Sequence, residues 1–131
     1  MLLCWIESPR GRDELILGTG VDVCSIERLE QSLSRTENLG ARLFHENEIE
    51  LAPQSLAARF AAKEALAKAL GTPSILIWNE IEVVKDSLGK PSLKFHGMTM
   101  EKIRDLGELR FHLSMSHDGP VAVATVVVES I

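Results

Sequence analysis

The stretch SLAARFAAKEALAKALGT, residues 55 to 72, constrains this chain more than any other, because it reads as a helix with no side left for water. At about 100° per residue, Ala57, Ala58, Ala61, Ala62, Ala65 and Ala69 gather on one side. Leu56, Phe60, Leu66, Ala67 and Leu70 gather on the other. The alanine side suits close approach to another backbone, since alanine adds little bulk and loses no side-chain entropy. Arg59 and Lys63 are interspersed among the larger residues, and Glu64 and Lys68 stand at that side's edge. If both sides pack, these charges occupy a crevice or interface in which each needs a partner. The plainer reading is that Arg59 and Lys63 snorkel, while Glu64 and Lys68 form an i,i+4 pair worth about 0.3–0.5 kcal/mol.

The rest of the chain gives this helix its surroundings. A length of 131 residues fits one domain, and 45% hydrophobic with 25% charged residues is the balance of an ordinary globular protein. Residues 1–14, with Pro9, Gly11 and several charges, read as a flexible extension ahead of a single domain over residues 15–131. A strand over 15–23 runs into a helix over 25–38 that Ser25 caps, a short helix is expected over 46–52, and the alanine-rich helix ends at Gly71. The period then changes to two: strands over 75–86 and 92–95 flank the turn SLGKP, a helix covers 99–106, and strands ELRFHLSMS and VAVATVVVE flank HDGP. This order predicts an α+β fold, with an antiparallel sheet and a three-helix stretch between the first strand and the later hairpins.

Composition narrows the function. A net charge of −5 argues against general nucleic-acid binding, so an acidic partner must meet a local basic patch. MLLCWI is too short for a secretory signal or a membrane span, and the two cysteines, Cys4 and Cys24, form no disulfide framework. A cytoplasmic protein with free thiols is the expectation. GTGVD, residues 18–22, lacks the third glycine of a dinucleotide fingerprint, which leaves Asp22 as a carboxylate at a strand end, a helix-start residue or a metal ligand. His112 and His117 are five apart on a strand and point to opposite faces, so they share no metal. His117, beside DGP, is the one placed to meet a ligand.

Five segments in order, GTGVDVCSIERLE, RLFHENEIE, ARFAAKEALAKALGT, WNEIEVVKDSLGKPSL and HLSMSHDGPVAVATVVVE, resemble the successive motifs of the holo-acyl-carrier-protein synthases, the short class of 4'-phosphopantetheinyl transferases. The resemblance runs from Leu17 to Glu129. It implies the 4'-phosphopantetheinyl transferase fold and a Mg²⁺-dependent transfer of the phosphopantetheine arm of coenzyme A to a serine of apo acyl carrier protein, releasing adenosine 3',5'-bisphosphate. Asp22 and Glu64 match the family's metal-binding carboxylates, and Mg²⁺ characteristically takes one or two carboxylates plus substrate oxygens. Lys68 matches a family lysine near the phosphates, and Lys63 belongs to the same KE motif as Glu64; cations there stabilise the leaving group's developing charge. Arg59 and His117 match residues that hold coenzyme A.

By the same resemblance Arg28 and Arg35, seven apart on one face of the first helix, meet the acidic recognition helix of the carrier protein. The family's trimers place active sites at subunit junctions, which implies a homotrimer here. A metal-bound water, Glu64 or His117 is the candidate base for the carrier serine. Two rival classes use the same residues: a metal-dependent nucleotide phosphohydrolase with water as acceptor, and a noncatalytic module that binds carrier protein. The chain also departs from the family pattern. His45 and Glu48 stand where a Thr…Glu capping box is usual, and Pro73 stands in place of a glycine.

Overall fold

The computed structural model describes residues 15–131; the expected extension over 1–14, and Cys4 within it, lie outside the described residues. Strand β1 (Ile16–Ser25) alternates its side chains, so Gly18, Gly20, Asp22 and Cys24 share the inner face. Ser25 ends the strand and caps helix α1 (Ile26–Arg35), its side chain accepting the Arg28 amide at 3.3 Å. A short helix, α2 (Leu39–Leu43), follows, and then the long α3 (Pro53–Leu70), which opens with proline and closes on Gly71 in the left-handed region. Strands β2 (Ile81–Lys85) and β3 (Pro91–Phe95) form a hairpin, followed by helix α4 (Gly97–Asp105), β4 (Leu109–Asp118) and β5 (Val121–Ser130).

Two antiparallel sheets result: β1-β5-β4, with the apolar β5 in the middle, and β2-β3. Gly119 and Pro120 turn β4 into β5, with Asp118 paired to Val121. The α3 helix lies across the inner face of the larger sheet. A Cβ placed on Gly18 would fall 2.0 Å from the Ala69 carbonyl oxygen, and one on Gly20 would fall 1.9 Å from that of Ala65. The glycines of GTG therefore let strand and helix backbones touch, and the alanine side of α3 is the surface they touch. Ala57, Ala61, Ala62 and Ala65 are fully buried there, opposite Ala122, Ala124, Val126 and Val128 of β5. Leu56, Leu66 and Ala67 on the other side are buried as well, so the helix packs all round.

Two segments differ from expectation. Residues 46–52 form turns rather than a helix, and the middle helix of the three lies earlier, over Leu39–Leu43. The cause is Glu48, whose carboxylate turns into the core while Ile49 and Leu51 stay over a third exposed, so an amphipathic helix here would not bury its apolar residues. Residues 75–80 are not strand either. Tight turns over Pro73–Ile75 and Trp78–Glu80 send their amides to local acceptors, and the Ile77 amide goes to the Thr99 hydroxyl at 3.0 Å. Pairing with β3 begins only at Ile81.

Candidate active site

Asp22 follows Gly20 by one side-chain repeat on β1, on the face that α3 covers. Because the two backbones touch at the glycines, side chains of α3 reach the strand directly. Lys68 donates to Asp22 Oδ1 at 3.0 Å and to the Val21 carbonyl at 2.9 Å, and stays more than half exposed. Glu64, one helical turn earlier, lies within the field of the same pair. Burial pushes its carboxyl pKa up, the Asp22 charge pushes it further, and Lys68 and the Trp78 side chain only partly oppose this. The Cys24 thiol is likewise raised, by burial and then by Asp22 and Glu64, so it stays protonated. Asp22 thus holds the Lys68 ammonium, and Glu64 lies close enough for both charges to act on it.

That donor set fits a hard divalent cation. It is all oxygen, it carries an excess of negative charge, and Glu64 is held in a state that a nearby positive charge would relieve. Asp22 and Glu64 would hold the ion. Lys68, next to them and open to solvent, is free to exchange its present acceptors for a phosphate.

Lys63 is placed elsewhere. Its ammonium is wholly buried and donates to Glu48 Oε1 at 2.6 Å, the Leu43 carbonyl at 2.8 Å and the Trp78 carbonyl at 3.1 Å. Three acceptors exhaust an ammonium, so none of its protons is left for a ligand. Burial lowers its pKa and the Glu48 charge opposes the shift. The packing and ion-pair reading of Lys63 replaces the expected phosphate contact, since Lys63 ties α3 to the end of α2 and to the turn before β2.

Arg59 and His117 meet in a second place. Together with Ser55, Lys85 and Ser116 they line a cleft of about 120 Å³ toward the N-terminal end of α3, which none of Asp22, Glu64 and Lys68 lines. His117 is exposed at the end of β4. Arg59 is buried, with Nη1 on the Ser55 carbonyl at 3.4 Å and Nε 3.7 Å from Glu48; that Nε has no hydrogen-bond partner. Burial lowers the Arg59 pKa, and Glu48 opposes it. Arg28 and Arg35 are exposed on α1. Arg28 borders an apolar groove lined by Val23, Leu29, Leu43 and Phe60. His112 is exposed and bonded to Glu129 at 2.6 Å.

Sequence reasoning missed Glu48, the hub of the interior. It accepts the His45 amide at 2.9 Å and the Val83 amide at 2.9 Å in addition to Lys63. The surviving half of the capping box, Glu48 back to His45, was its only signal. The convergence of His45, Glu82 and His96 was also missed, because the three are far apart in the chain.

Residues 18–124 match the family model for the 4'-phosphopantetheinyl transferase superfamily, ACPS. The chain is 50% identical over 116 residues to a holo-[acyl-carrier-protein] synthase of Kocuria rhizophila, covering 88% of this chain and 94% of that one. Among solved structures it resembles the ACPS–CoA complex of Chronobacterium ammoniagenes, with a TM-score of 0.78, 30% identity, and 87% and 97% of the two chains covered. The holo-[acyl-carrier-protein] synthase of Neisseria meningitidis gives 0.79 at 31% identity, with 88% and 99% covered.

Proposed function

Because the chain belongs to the 4'-phosphopantetheinyl transferase superfamily, among its holo-[acyl-carrier-protein] synthases, it moves the phosphopantetheine arm of coenzyme A onto apo acyl carrier protein, and we propose that Asp22, Glu64 and Lys68 carry that transfer. The observation behind this assignment is Asp22 bonded to the solvent-open Lys68 ammonium where β1 and α3 touch, with Glu64 near enough that both charges act on its carboxyl. Asp22 and Glu64 would hold Mg²⁺, which would supply positive charge to the pyrophosphate oxygens while a serine hydroxyl of the carrier attacks the phosphorus and the bisphosphate leaves. Lys68 binds a phosphate oxygen and stabilises the departing bisphosphate. Lys63 is a positioning residue: anchored by Glu48, it fixes the part of α3 from which Glu64 projects.

Arg59 and His117, in their own cleft, hold the nucleotide end of coenzyme A. Within one chain that cleft is apart from the carboxylates, which favours a site completed across a subunit junction. The outer face of the larger sheet supports the same reading, for Val21 and Val23 are 52% and 61% exposed beside an apolar β5. A homotrimer covering that face brings the carboxylates of one subunit to the Arg59 cleft of the next. Arg28 and Arg35 receive an acidic helix of the carrier protein. No helix among the described residues is long and apolar enough to cross a membrane, and Cys24 is a free thiol, consistent with work in the cytoplasm.

Intact-protein mass spectrometry of apo acyl carrier protein, incubated with the chain, coenzyme A and Mg²⁺, tests this reading. A phosphopantetheine-sized gain is expected. Unmodified carrier with coenzyme A hydrolysed would overturn it in favour of a phosphohydrolase, and unmodified carrier with intact coenzyme A would reduce the chain to a binding module.

A further inference from the structure

Away from the carboxylate pair, three side chains from separate parts of the chain converge on one point. His45 lies in the turn after α2, Glu82 on β2, and His96 just after β3, where α4 begins. His96 Nε2 is 2.9 Å from Glu82 Oε1, and His45 Nδ1 is 3.8 Å from the same oxygen. The two imidazoles stack with centroids 4.4 Å apart and planes 20° from parallel, so both present a ring nitrogen to that oxygen. All three candidate atoms lie within 4.8 Å of one another.

From this geometry we propose that His45, Glu82 and His96 form a second metal site, for a zinc-class transition ion. Tetrahedral zinc, bound at about 2.0–2.2 Å, sets its ligand atoms roughly 3.4 Å apart. The present separations of 2.9 and 3.8 Å bracket that value, so small side-chain rotations suffice. Two imidazoles and one carboxylate with an open fourth position suit zinc, cobalt or nickel. Magnesium prefers oxygen, so this site and the Asp22–Glu64 pair select different ions.

The ligands are already held. Glu82 is buried, and its other oxygen accepts the Asn47 side-chain amide at 3.1 Å, which orients Oε1 toward the histidines. The backbone amide of His45 is fixed on Glu48 at 2.9 Å and that of His96 on the Glu80 carbonyl at 2.9 Å. The half-buried imidazoles leave the ion a route in. Binding would displace the His96–Glu82 hydrogen bond and the Asn47 backbone amide now 3.1 Å from His45 Nδ1, with the His96 proton moving to the other ring nitrogen. In exchange the ion would cross-link the turn after α2, β2 and the start of α4, and binding only the folded chain it would raise the unfolding midpoint.

The test uses the full chain without a histidine tag, stripped by chelator and titrated with Co²⁺. One equivalent is expected to give the visible absorption of tetrahedral cobalt, displaced by one equivalent of Zn²⁺, with Zn²⁺ raising the unfolding midpoint. His45→Gln and His96→Gln, checked for folding by circular dichroism, should abolish the tetrahedral spectrum, while Asp22→Asn and Glu64→Gln should keep it. Asn47→Ala removes no ligand and should weaken Zn²⁺ binding by about 10–100-fold, which serves if a histidine variant fails to fold. A wild type that binds no Co²⁺ or gives only an octahedral spectrum overturns the proposal. So does a tetrahedral spectrum that survives in a folded histidine variant, is lost with Asp22→Asn, or comes with unchanged Zn²⁺ affinity in Asn47→Ala.

Discussion

Gly20→Ala isolates the contact that brings Asp22 to Glu64. Gly20 has no positive φ, so alanine can adopt its backbone conformation. On conformational entropy alone the substitution would stabilise the fold by about 0.4–1 kcal/mol, by restricting the unfolded chain. The packing demands the opposite. The new Cβ would fall 1.9 Å from the Ala65 carbonyl oxygen and 2.9 Å from the Ala69 nitrogen, both backbone atoms of a rigid helix. Relief to an ordinary contact separates β1 from α3 by about 1.5 Å, and overpacking of this kind costs typically about 1–3 kcal/mol. The backbone-to-backbone nature of the clash places Gly20→Ala at the upper end. For a chain of this size about 3 kcal/mol lowers the melting midpoint by roughly 10–15 °C. Urea and thermal unfolding, at equal protein concentration so that assembly does not confuse the comparison, read the effect directly. The same displacement moves Asp22 from Lys68 and Glu64, so the transfer rate should fall as well. A midpoint equal to or above the wild type would refute the reading of GTG as a helix-packing motif.

Lys63→Met should destabilise by about 3 kcal/mol, the lower end for breaking a buried pair, because it removes the ammonium hydrogen-bonded to the buried Glu48 and leaves only the Arg59 guanidinium, 3.7 Å away, as its cation; unchanged urea unfolding with a raised Michaelis constant for coenzyme A would instead return Lys63 to the ligand. Glu64 gives a pH signature in metal-free protein. Its folded pKa lies above the unfolded value, so the native state binds more protons between the two, and stability falls as pH rises through that window. Glu64→Gln removes this loss, so its stability relative to wild type should rise with pH above the ordinary carboxylate range; a constant difference across pH 4 to 8, roughly the span around carboxylate values, would contradict the raised pKa. Reversing Arg28 and Arg35 to Glu should raise the Michaelis constant for carrier protein and flatten its salt dependence, while leaving that for coenzyme A unchanged. Equal kinetics with carrier at low and high salt would remove the docking assignment.

The helix over 55–70 was legible because every face of it carried a message: alanines where a backbone approaches, larger apolar residues toward the rest of the core, and charges at the boundary. Asp22 and Glu64 are paired through the family resemblance, and the glycines near Asp22 are what let the two elements that carry them touch. Lys63 and Lys68 could not be told apart by type. One turns inward to three acceptors and the other outward to solvent, and that choice depends on Glu48, which reads in the sequence as one acid among several in HENEIE. The same buried carboxylate explains why residues 46–52 do not form a helix. The apolar run ILIW looked like strand, yet its amides are satisfied by turns and by Thr99, a partner more than twenty residues away. Long-range polar pairing of this kind leaves no periodic trace.

The most direct test of the site is transfer to apo acyl carrier protein by Asp22→Asn, Glu64→Gln and Lys68→Ala, each shown to be folded, across a Mg²⁺ titration at saturating coenzyme A. Both carboxamide variants should lose transfer by several orders of magnitude and lose the Mg²⁺ dependence of what remains, while Lys68→Ala keeps its Mg²⁺ response at a lower rate. Wild-type rates and an unaltered Mg²⁺ dependence in Asp22→Asn or Glu64→Gln would place the chemistry elsewhere in the molecule.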